Sequence, residues 1–95
     1  MNKARGIGLG IIGSGRIGTL RARLAAGHPA VNHIAVSDLE SANAEKLAKT
    51  VSGRSHGADN LAVIDDPEVT AVIVSTSEGE HVAPMLAALE RGKPV

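Results

Sequence analysis

Short aliphatic runs alternate along this sequence with segments in which apolar residues recur every three or four positions. The runs have the length and β-branched content of buried strands, whereas the other segments have the spacing of one helix face. The predicted strands are Ile7–Ile12, Val31–Ser37, a short edge strand within Arg54–Ala58, and Ala71–Ser75. The predicted helices are Arg16–Ala26, Ser41–Val51, a single turn at Asn60–Ile64, and a helix from about His81 to Arg91. This alternation predicts an α/β fold with a doubly wound parallel sheet.

Size and residue types narrow the class of protein. A chain of 95 residues forms one domain, and its core must be aliphatic because Phe, Tyr and Trp are absent. The absence of cysteine excludes a disulfide framework and a thiolate metal site. No apolar run approaches the roughly 20 residues that span a bilayer, and the amino-terminal segment is a poor signal peptide. We therefore expect a cytoplasmic protein with no membrane partner.

Charge is unevenly distributed although the formal net charge is zero. The segment before His28 contains basic residues and no acidic ones, namely Lys3, Arg5, Arg16, Arg21 and Arg23. Such a segment favours a small polyanion such as a pyrophosphate, although Arg21 and Arg23 fit an ordinary solvated helix face equally well. Because the chain has neither a strongly basic domain nor aromatic stacking residues, we expect no nucleic-acid partner.

The turn between the first predicted strand and helix has the sequence Gly13-Ser14-Gly15-Arg16-Ile17-Gly18, a G-x-G-x-x-G pattern. In this position Gly13 suits the tight turn, and Gly15 lets a pyrophosphate approach the backbone. Gly18 allows close packing of the helix on the sheet. Free N–H groups of the first helical turn would face the phosphates. The pattern indicates a Rossmann-type dinucleotide site; the alternative is a tight turn that binds no ligand.

Asp38 follows the second predicted strand, twenty residues after Gly18. A carboxylate at this position can accept hydrogen bonds from both hydroxyls of the adenosine ribose, and it would repel a 2′-phosphate. Because the next residue is Leu39 rather than an arginine, NAD(H) is predicted in preference to NADP(H). The alternative is that Asp38, together with Ser41, only caps the following helix.

The loop after the third aliphatic run, residues 75–81, is predicted to lie beside the glycine turn. Ligands of open parallel sheets bind beyond the carboxyl ends of the strands, so Thr76 is a candidate cofactor contact. His81 could hydrogen-bond near the nicotinamide or the substrate, or it could equally face solvent at the start of a helix.

Other chemistries fit the sequence poorly. Ser14 lacks the flanking glycines of a nucleophile elbow, since Ile12 and Arg16 occupy those positions. A phosphate-binding G-x-x-x-x-G-K-[ST] loop is absent. The four histidines, which are His28, His33, His56 and His81, have no metal-ligand spacing, so no metal site is expected.

Four segments, taken in their order along the chain, indicate the family more specifically than the glycine turn alone does. They are GLGIIGSGRIG, AVSD, DDPEVTAVIVST and EGEHVAPMLAALERGKPV. Together they resemble the amino-terminal domain of the Gfo/Idh/MocA (glucose-fructose oxidoreductase / inositol dehydrogenase) family, from about Gly6 to Val95. The late segments carry most of the specificity of this resemblance.

The resemblance implies an NAD(P)-dependent oxidoreductase that transfers hydride to or from a sugar- or cyclitol-like hydroxyl or ketone. It implies that residues 13 and 15–18 hold the pyrophosphate, that Asp38 holds the ribose, and that Thr76 and His81 line the nicotinamide end. One departure is Ser77, which stands where the family usually has proline and puts the rigidity of that loop in doubt.

In that family, G-K-P-V leads into an E-K-P motif with a catalytic lysine and then into a substrate domain. Here the sequence ends at Val95, so residues 1–95 are expected to be a dinucleotide-binding domain that is incomplete at the start of its fifth strand. The substrate domain is expected to be absent, and no catalytic residue is assigned. A non-catalytic nucleotide-binding or sensor module is the main alternative; a methyltransferase-type glycine loop fits less well.

The order of strands has a consequence for assembly. With order 3-2-1-4-5, the strand Ala71–Ser75 is internal only if a fifth strand covers it; otherwise it forms an apolar edge. We therefore expect self-association or low solubility of the isolated chain. A homo-oligomer is a separate expectation for the full-length enzyme.

Overall fold

The computed structural model describes residues 6–76 and 82–95. The strands are β1 (Ile7–Ile12), β2 (Val31–Ser37), β3 (Arg54–Ser55) and β4 (Ala71–Val74). The helices are α1 (Arg16–Ala26), α2 (Ser41–Val51), α3 (Asn60–Ile64) and α4 (Val82–Glu90). None of the helices within these ranges combines the length and apolar character needed to cross a membrane.

All strand pairs of the sheet are parallel, and the strand order is β3-β2-β1-β4. Ile12 of β1 lies beside Ser37 of β2 and Val74 of β4, so the carboxyl ends of the three longer strands are level. The doubly wound parallel fold and the predicted order of the first four strands are confirmed. Strand β3 is shorter than predicted, and β4 ends one residue earlier than expected.

Two aliphatic layers cover the two faces of the sheet. Helices α1 and α2 pack on one face, where the buried residues are Leu9, Ile11, Ala22, Ile34, Val36, Ala44, Leu47 and Ala48. Helices α3 and α4 cover the other face, with Ile12, Ala35, Val63, Ile64, Val69, Val72 and Ala88. Alternate residues of each strand enter opposite layers, as the pleat of a strand requires.

Small residues, rather than the larger apolar ones, form the buried side of two helices. On α1 the buried residues are Gly18 and Ala22, and on α4 they are Pro84 and Ala88. The larger apolar residues that share helical spacing are exposed on both helices, namely Ile17, Leu20 and Leu24 on α1, and Val82, Met85, Leu86 and Leu89 on α4. The helical spacing was correctly interpreted, but an apolar face in the sequence does not coincide with the core face here.

The last residues lie along the outer edge of β4. The backbone N–H of Val72 donates a hydrogen bond to the carbonyl of Pro94 at 2.9 Å. Lys93 fixes this segment, since its Nζ donates to the carbonyl oxygens of Ile64 and Asp66. Pro94 therefore lies where the predicted fifth strand would begin.

Candidate functional site

Two glycines of the turn between β1 and α1 are required by the fold itself. Gly13 has a φ of +100°, and a Cβ there would lie 2.7 Å from the carbonyl oxygen of Ser75. A Cβ on Gly18 would lie 1.9 Å from the carbonyl oxygen of Gly13. Either side chain would collide with backbone, so these glycines bring β1, α1 and the end of β4 close together.

Gly15 differs from the other two glycines of the motif. Its φ is −76°, which any residue adopts, and a Cβ built there would meet no atom within 4 Å. Neither backbone conformation nor packing in the described structure therefore requires glycine here. The open space lies at the start of α1, as expected if an additional molecule approaches the backbone closely.

The amino-terminal end of α1 is not neutralised by its own side chains. Gly15 occupies the N-cap position, no side chain caps the helix, and the first turn contains no acidic residue. The first N–H groups of a helix lack intrahelical partners, and the helix dipole places partial positive charge there. This end of α1 is therefore chemically suited to an anion such as a pyrophosphate.

Asp38, just beyond β2, links the glycine turn to the start of α2. Its Oδ1 accepts a hydrogen bond from the backbone N–H of Ser14 at 2.7 Å. Its Oδ2 accepts from the backbone N–H of Glu40 at 2.9 Å and from Nδ2 of Asn43 at 3.4 Å. The capping alternative is wrong as stated, because Glu40 is the N-cap of α2, no side chain caps this helix and Ser41 is its first residue. The carboxylate instead holds the turn before α2 and keeps a fixed position beside the glycine turn.

A cleft of about 320 Å³ opens at the carboxyl ends of β1, β2 and β4. It is lined by Gly13, Gly15, Asp38, Leu39, Glu40, Ser75 and Thr76. The structure therefore brings together four of the residues that the sequence nominated, drawn from three separate segments. Ligands of parallel α/β sheets bind at this edge.

Of the other residues predicted from the sequence, four do not line the cleft and one lies outside the described residues. Ser14 and Gly18 are buried under the turn, whereas Arg16 and Ile17 are exposed on the first turn of α1. His81 lies outside the described residues. Asp38 and Thr76 are both partly buried at the wall of the cleft.

Three residues of the cleft wall were not nominated from the sequence: Leu39, Glu40 and Ser75. Ser75 also accepts a hydrogen bond from Nη1 of Arg21 at 3.0 Å, which ties α1 to the end of β4. The sequence contained a signal for all three, because each lies within three residues of a predicted strand end. Residue type alone gave no reason to select them.

A second polar cluster is centred on Asp66, just after α3 and away from the glycine turn. Asp66 is only 3% exposed, and its Oδ2 lies 3.0 Å from both Nη1 of Arg54 and Nε2 of His56. Burial by itself raises the pKa of Asp66. Hydrogen bonds from His56, the backbone N–H of Glu68 and His33, together with the charge of Arg54, outweigh burial and lower this pKa to about 2.

Within the described residues, His33, Asp66 and Glu68 hold potential metal-ligand atoms within 4.8 Å of one another. The guanidinium of Arg54 contacts both carboxylates, at 3.0 Å from Asp66 and 3.3 Å from Glu68. A cationic side chain thus already contacts both carboxylates, and we interpret the cluster as a structural ion network. The expectation of no metal site stays a prediction.

The parallel sheet, the glycine turn after β1 and the carboxylate after β2 define a Rossmann-type NAD-binding fold. The chain belongs to the Gfo/Idh/MocA family: residues 7–95 match its family model, described as "Oxidoreductase family, NAD-binding Rossmann fold". The family resemblance inferred from the sequence motifs is therefore confirmed.

Similar proteins include curated enzymes and solved structures. Over 89 residues the chain is 35% identical to an inositol 2-dehydrogenase of Mycolicibacterium gilvum, covering 94% of this chain and 24% of that protein. The fold matches myo-inositol dehydrogenase from Lactobacillus casei in complex with NAD(H) and myo-inositol, with a TM-score of 0.83 and 26% identity over 93% of this chain and 26% of that one.

A third similar structure is biliverdin reductase from Synechocystis in complex with biliverdin and NADP+. Its TM-score is 0.82, with 31% identity over 92% of this chain and 27% of that chain. The chain spans about a quarter of the length of the curated relatives it matches. Because both NAD(H) and NADP+ occur among these structures, the family alone does not identify the preferred cofactor.

Proposed function

We propose that this chain binds NAD(H) at the cleft between the glycine turn, Asp38 and Thr76. The observation that carries the proposal is the open space at Gly15 beside the uncapped start of α1. Glycine at this position has no folding role in the described structure, whereas a pyrophosphate in contact with the backbone would need it. The pyrophosphate would lie on the N–H groups of residues 16–18, with the adenosine ribose on Asp38.

In this proposal the nicotinamide end of the cofactor lies toward Thr76 and His81. The site also prefers NAD(H) over NADP(H). A carboxylate at Asp38 matches two ribose hydroxyls, whereas it repels the charge of a 2′-phosphate. Asp38 is held by the N–H groups of Ser14 and Glu40. Rotating its carboxylate away from the ribose would break both hydrogen bonds.

The reaction we propose for the full-length enzyme is hydride transfer between the nicotinamide and a hydroxyl or ketone of a polyol, sugar or cyclitol. The support is the membership of the oxidoreductase family and the inositol dehydrogenases among similar proteins. In this proposal residues 1–95 supply the cofactor site, and a longer polypeptide supplies the substrate domain and the catalytic groups. We further propose a cytoplasmic homo-oligomer that binds neither nucleic acid nor membranes.

A pair of matched variants tests the cofactor site. Gly15→Ala and Gly27→Ala change the two ends of α1, and neither new Cβ would clash, since the nearest atom to the Cβ at position 27 is 3.7 Å away. Both variants should fold with an unchanged circular dichroism spectrum. Gly15→Ala should weaken NAD binding by at least about tenfold in calorimetry, roughly 1.4 kcal/mol, and Gly27→Ala should bind as the unmodified chain does.

Two results would contradict the proposal. If the unmodified chain binds neither NAD nor NADP, the cofactor function is wrong. If Gly15→Ala binds NAD as tightly as Gly27→Ala, the phosphates do not lie against the glycine turn.

The remaining alternative is a non-catalytic module that binds the dinucleotide as a sensor. Both functions predict NAD binding, so the coding sequence after the codon of Val95 distinguishes them. A continuing reading frame with an E-K-P motif and a second domain supports the oxidoreductase, whereas a stop codon supports the sensor.

A further inference from the structure

We propose that Glu40 is a second determinant of cofactor specificity, acting with Asp38 to exclude a 2′-phosphate. This inference rests on the proposed NAD site and extends it to a residue that the glycine-turn pattern does not include. The charge of Glu40 would act on the dinucleotide that carries the extra phosphate, whereas Asp38 would contact the ribose that both dinucleotides share.

The backbone position of Glu40 is fixed by the carboxylate of Asp38. Its backbone N–H donates to Oδ2 of Asp38 at 2.9 Å, which holds the first residues after β2 in a tight turn. Both residues line the same cleft, and Glu40 is exposed where α2 begins. The turn thus places two acidic residues, two positions apart, on the same wall of the cleft.

No basic residue is among the described residues that line this wall, whereas two of them are carboxylates. Neither carboxylate forms an ion pair within the described ranges. The guanidinium of Arg21 is close, because its Nη1 contacts Ser75 of the cleft at 3.0 Å, but it is bonded to that hydroxyl rather than to a carboxylate. Leu39, between the two carboxylates, offers no positive charge. A 2′-phosphate adds nearly two negative charges near pH 7 and would meet this pair of carboxylates.

A structural role for Glu40 must be separated from this electrostatic role. A negative side chain at the start of α2 also interacts favourably with the helix dipole, so its removal can lower helix stability slightly. That effect would alter the binding of NAD and NADP alike. Repulsion of a 2′-phosphate instead changes the ratio of the two affinities, and this ratio is sensitive to salt because the groups are exposed.

The test uses Glu40→Gln and a matched control, Glu45→Gln. Glu45 is exposed on α2 but does not line the cleft, so each variant removes one exposed carboxylate, Glu40 at the N-cap of α2 and Glu45 within the helix. Dissociation constants for NAD, NADP, AMP and 2′,5′-ADP are measured by calorimetry at low and high salt. AMP and 2′,5′-ADP differ only in the 2′-phosphate, so this pair isolates the ribose end of the site from the nicotinamide end.

Glu40→Gln should lower the ratio of the NADP to the NAD dissociation constant by about two- to fivefold at low salt, the range of an exposed charge interaction. The same change should appear for 2′,5′-ADP against AMP and shrink at high salt. Glu45→Gln should leave both ratios unchanged. An unchanged ratio in Glu40→Gln, or an equal change in Glu45→Gln, overturns the inference while the NAD site stands. Failure of the unmodified chain to bind any of the four compounds instead overturns the proposed function.

Discussion

The backbone N–H of Ser14 donates a hydrogen bond to Oδ1 of Asp38 at 2.7 Å, joining two loops that are separated by the whole of α1 and β2. This contact sets the distance between the phosphate and ribose parts of the proposed site. Oδ1 of Asp38 accepts this bond, whereas Oδ2 supports the turn before α2 by accepting from the N–H of Glu40. In the proposed site the ribose hydroxyls approach the same carboxylate.

Asp38→Asn should weaken NAD binding by about tenfold, since a neutral amide forms weaker hydrogen bonds to the ribose than a carboxylate does. NADP binding should weaken less or improve, because the charge that opposes the 2′-phosphate is removed. Asparagine keeps an oxygen for the N–H of Ser14, but its NH2 group would face the N–H of Glu40, so the turn before α2 should loosen while the fold is retained. Asp38→Ala loses both contacts. Calorimetry with both dinucleotides measures the effect; equal affinities unchanged by either variant would remove the argument for NAD.

Gly18→Ala should destabilise the fold by roughly 3 kcal/mol, because its Cβ would overlap the carbonyl of Gly13 and force α1 away from the sheet. Gly27→Ala has open space and a negative φ, so it should be neutral or stabilise the chain by about 0.4–1 kcal/mol. Urea unfolding followed by circular dichroism compares the two variants. Equal midpoints would show that close packing at Gly18 is not required.

Acid should remove the stabilisation supplied by Asp66. The folded-state pKa of Asp66 is about 2 and its ordinary value is 3.8, so the unfolded chain binds the proton more readily. The stabilisation, about 2 kcal/mol, is fully present above pH 4 and is lost as the pH falls from about 4 to 2. Thermal unfolding across this range should show the loss. Glu90→Gln, an exposed control, should retain the same pH dependence, and Asp66→Asn should flatten it.

The exposed apolar residues of α1 should cause self-association of the chain. Leu20 and Leu24 lie on one side of α1, and Leu24 is 68% exposed. Sedimentation velocity should detect concentration-dependent association, and the double change Leu20→Glu with Leu24→Glu should suppress it. Leu61→Glu on α3, which is also exposed, serves as the control with little expected effect. A chain that stays monomeric at high concentration would contradict this prediction.

The aliphatic runs and the glycine punctuation were sufficient to predict β1, α1, β2 and α2 with the residue bounds that the structure has. The short helix α3 was also predicted with its bounds, whereas β3 was predicted too long, because this two-residue strand is held by pairing with β2 rather than by its own sequence. Which helix residues are buried did not follow from their spacing. Helical spacing identifies an apolar face, but packing against the sheet selected Gly18, Ala22 and Ala88, whose small side chains let the helices approach the strands closely.

The sequence by itself determined the class of fold, the family and the position of Gly13–Gly18, because strand and helix periods and the need for glycine are local properties. Only the tertiary structure decided which glycine is required by packing and which one borders open space. A Cβ on Gly18 would overlap the carbonyl of Gly13, whereas a Cβ on Gly15 would meet no atom within 4 Å. The tertiary structure also placed Glu40 on the cleft wall beside Asp38. Such distances depend on how separate segments pack, which no local pattern encodes.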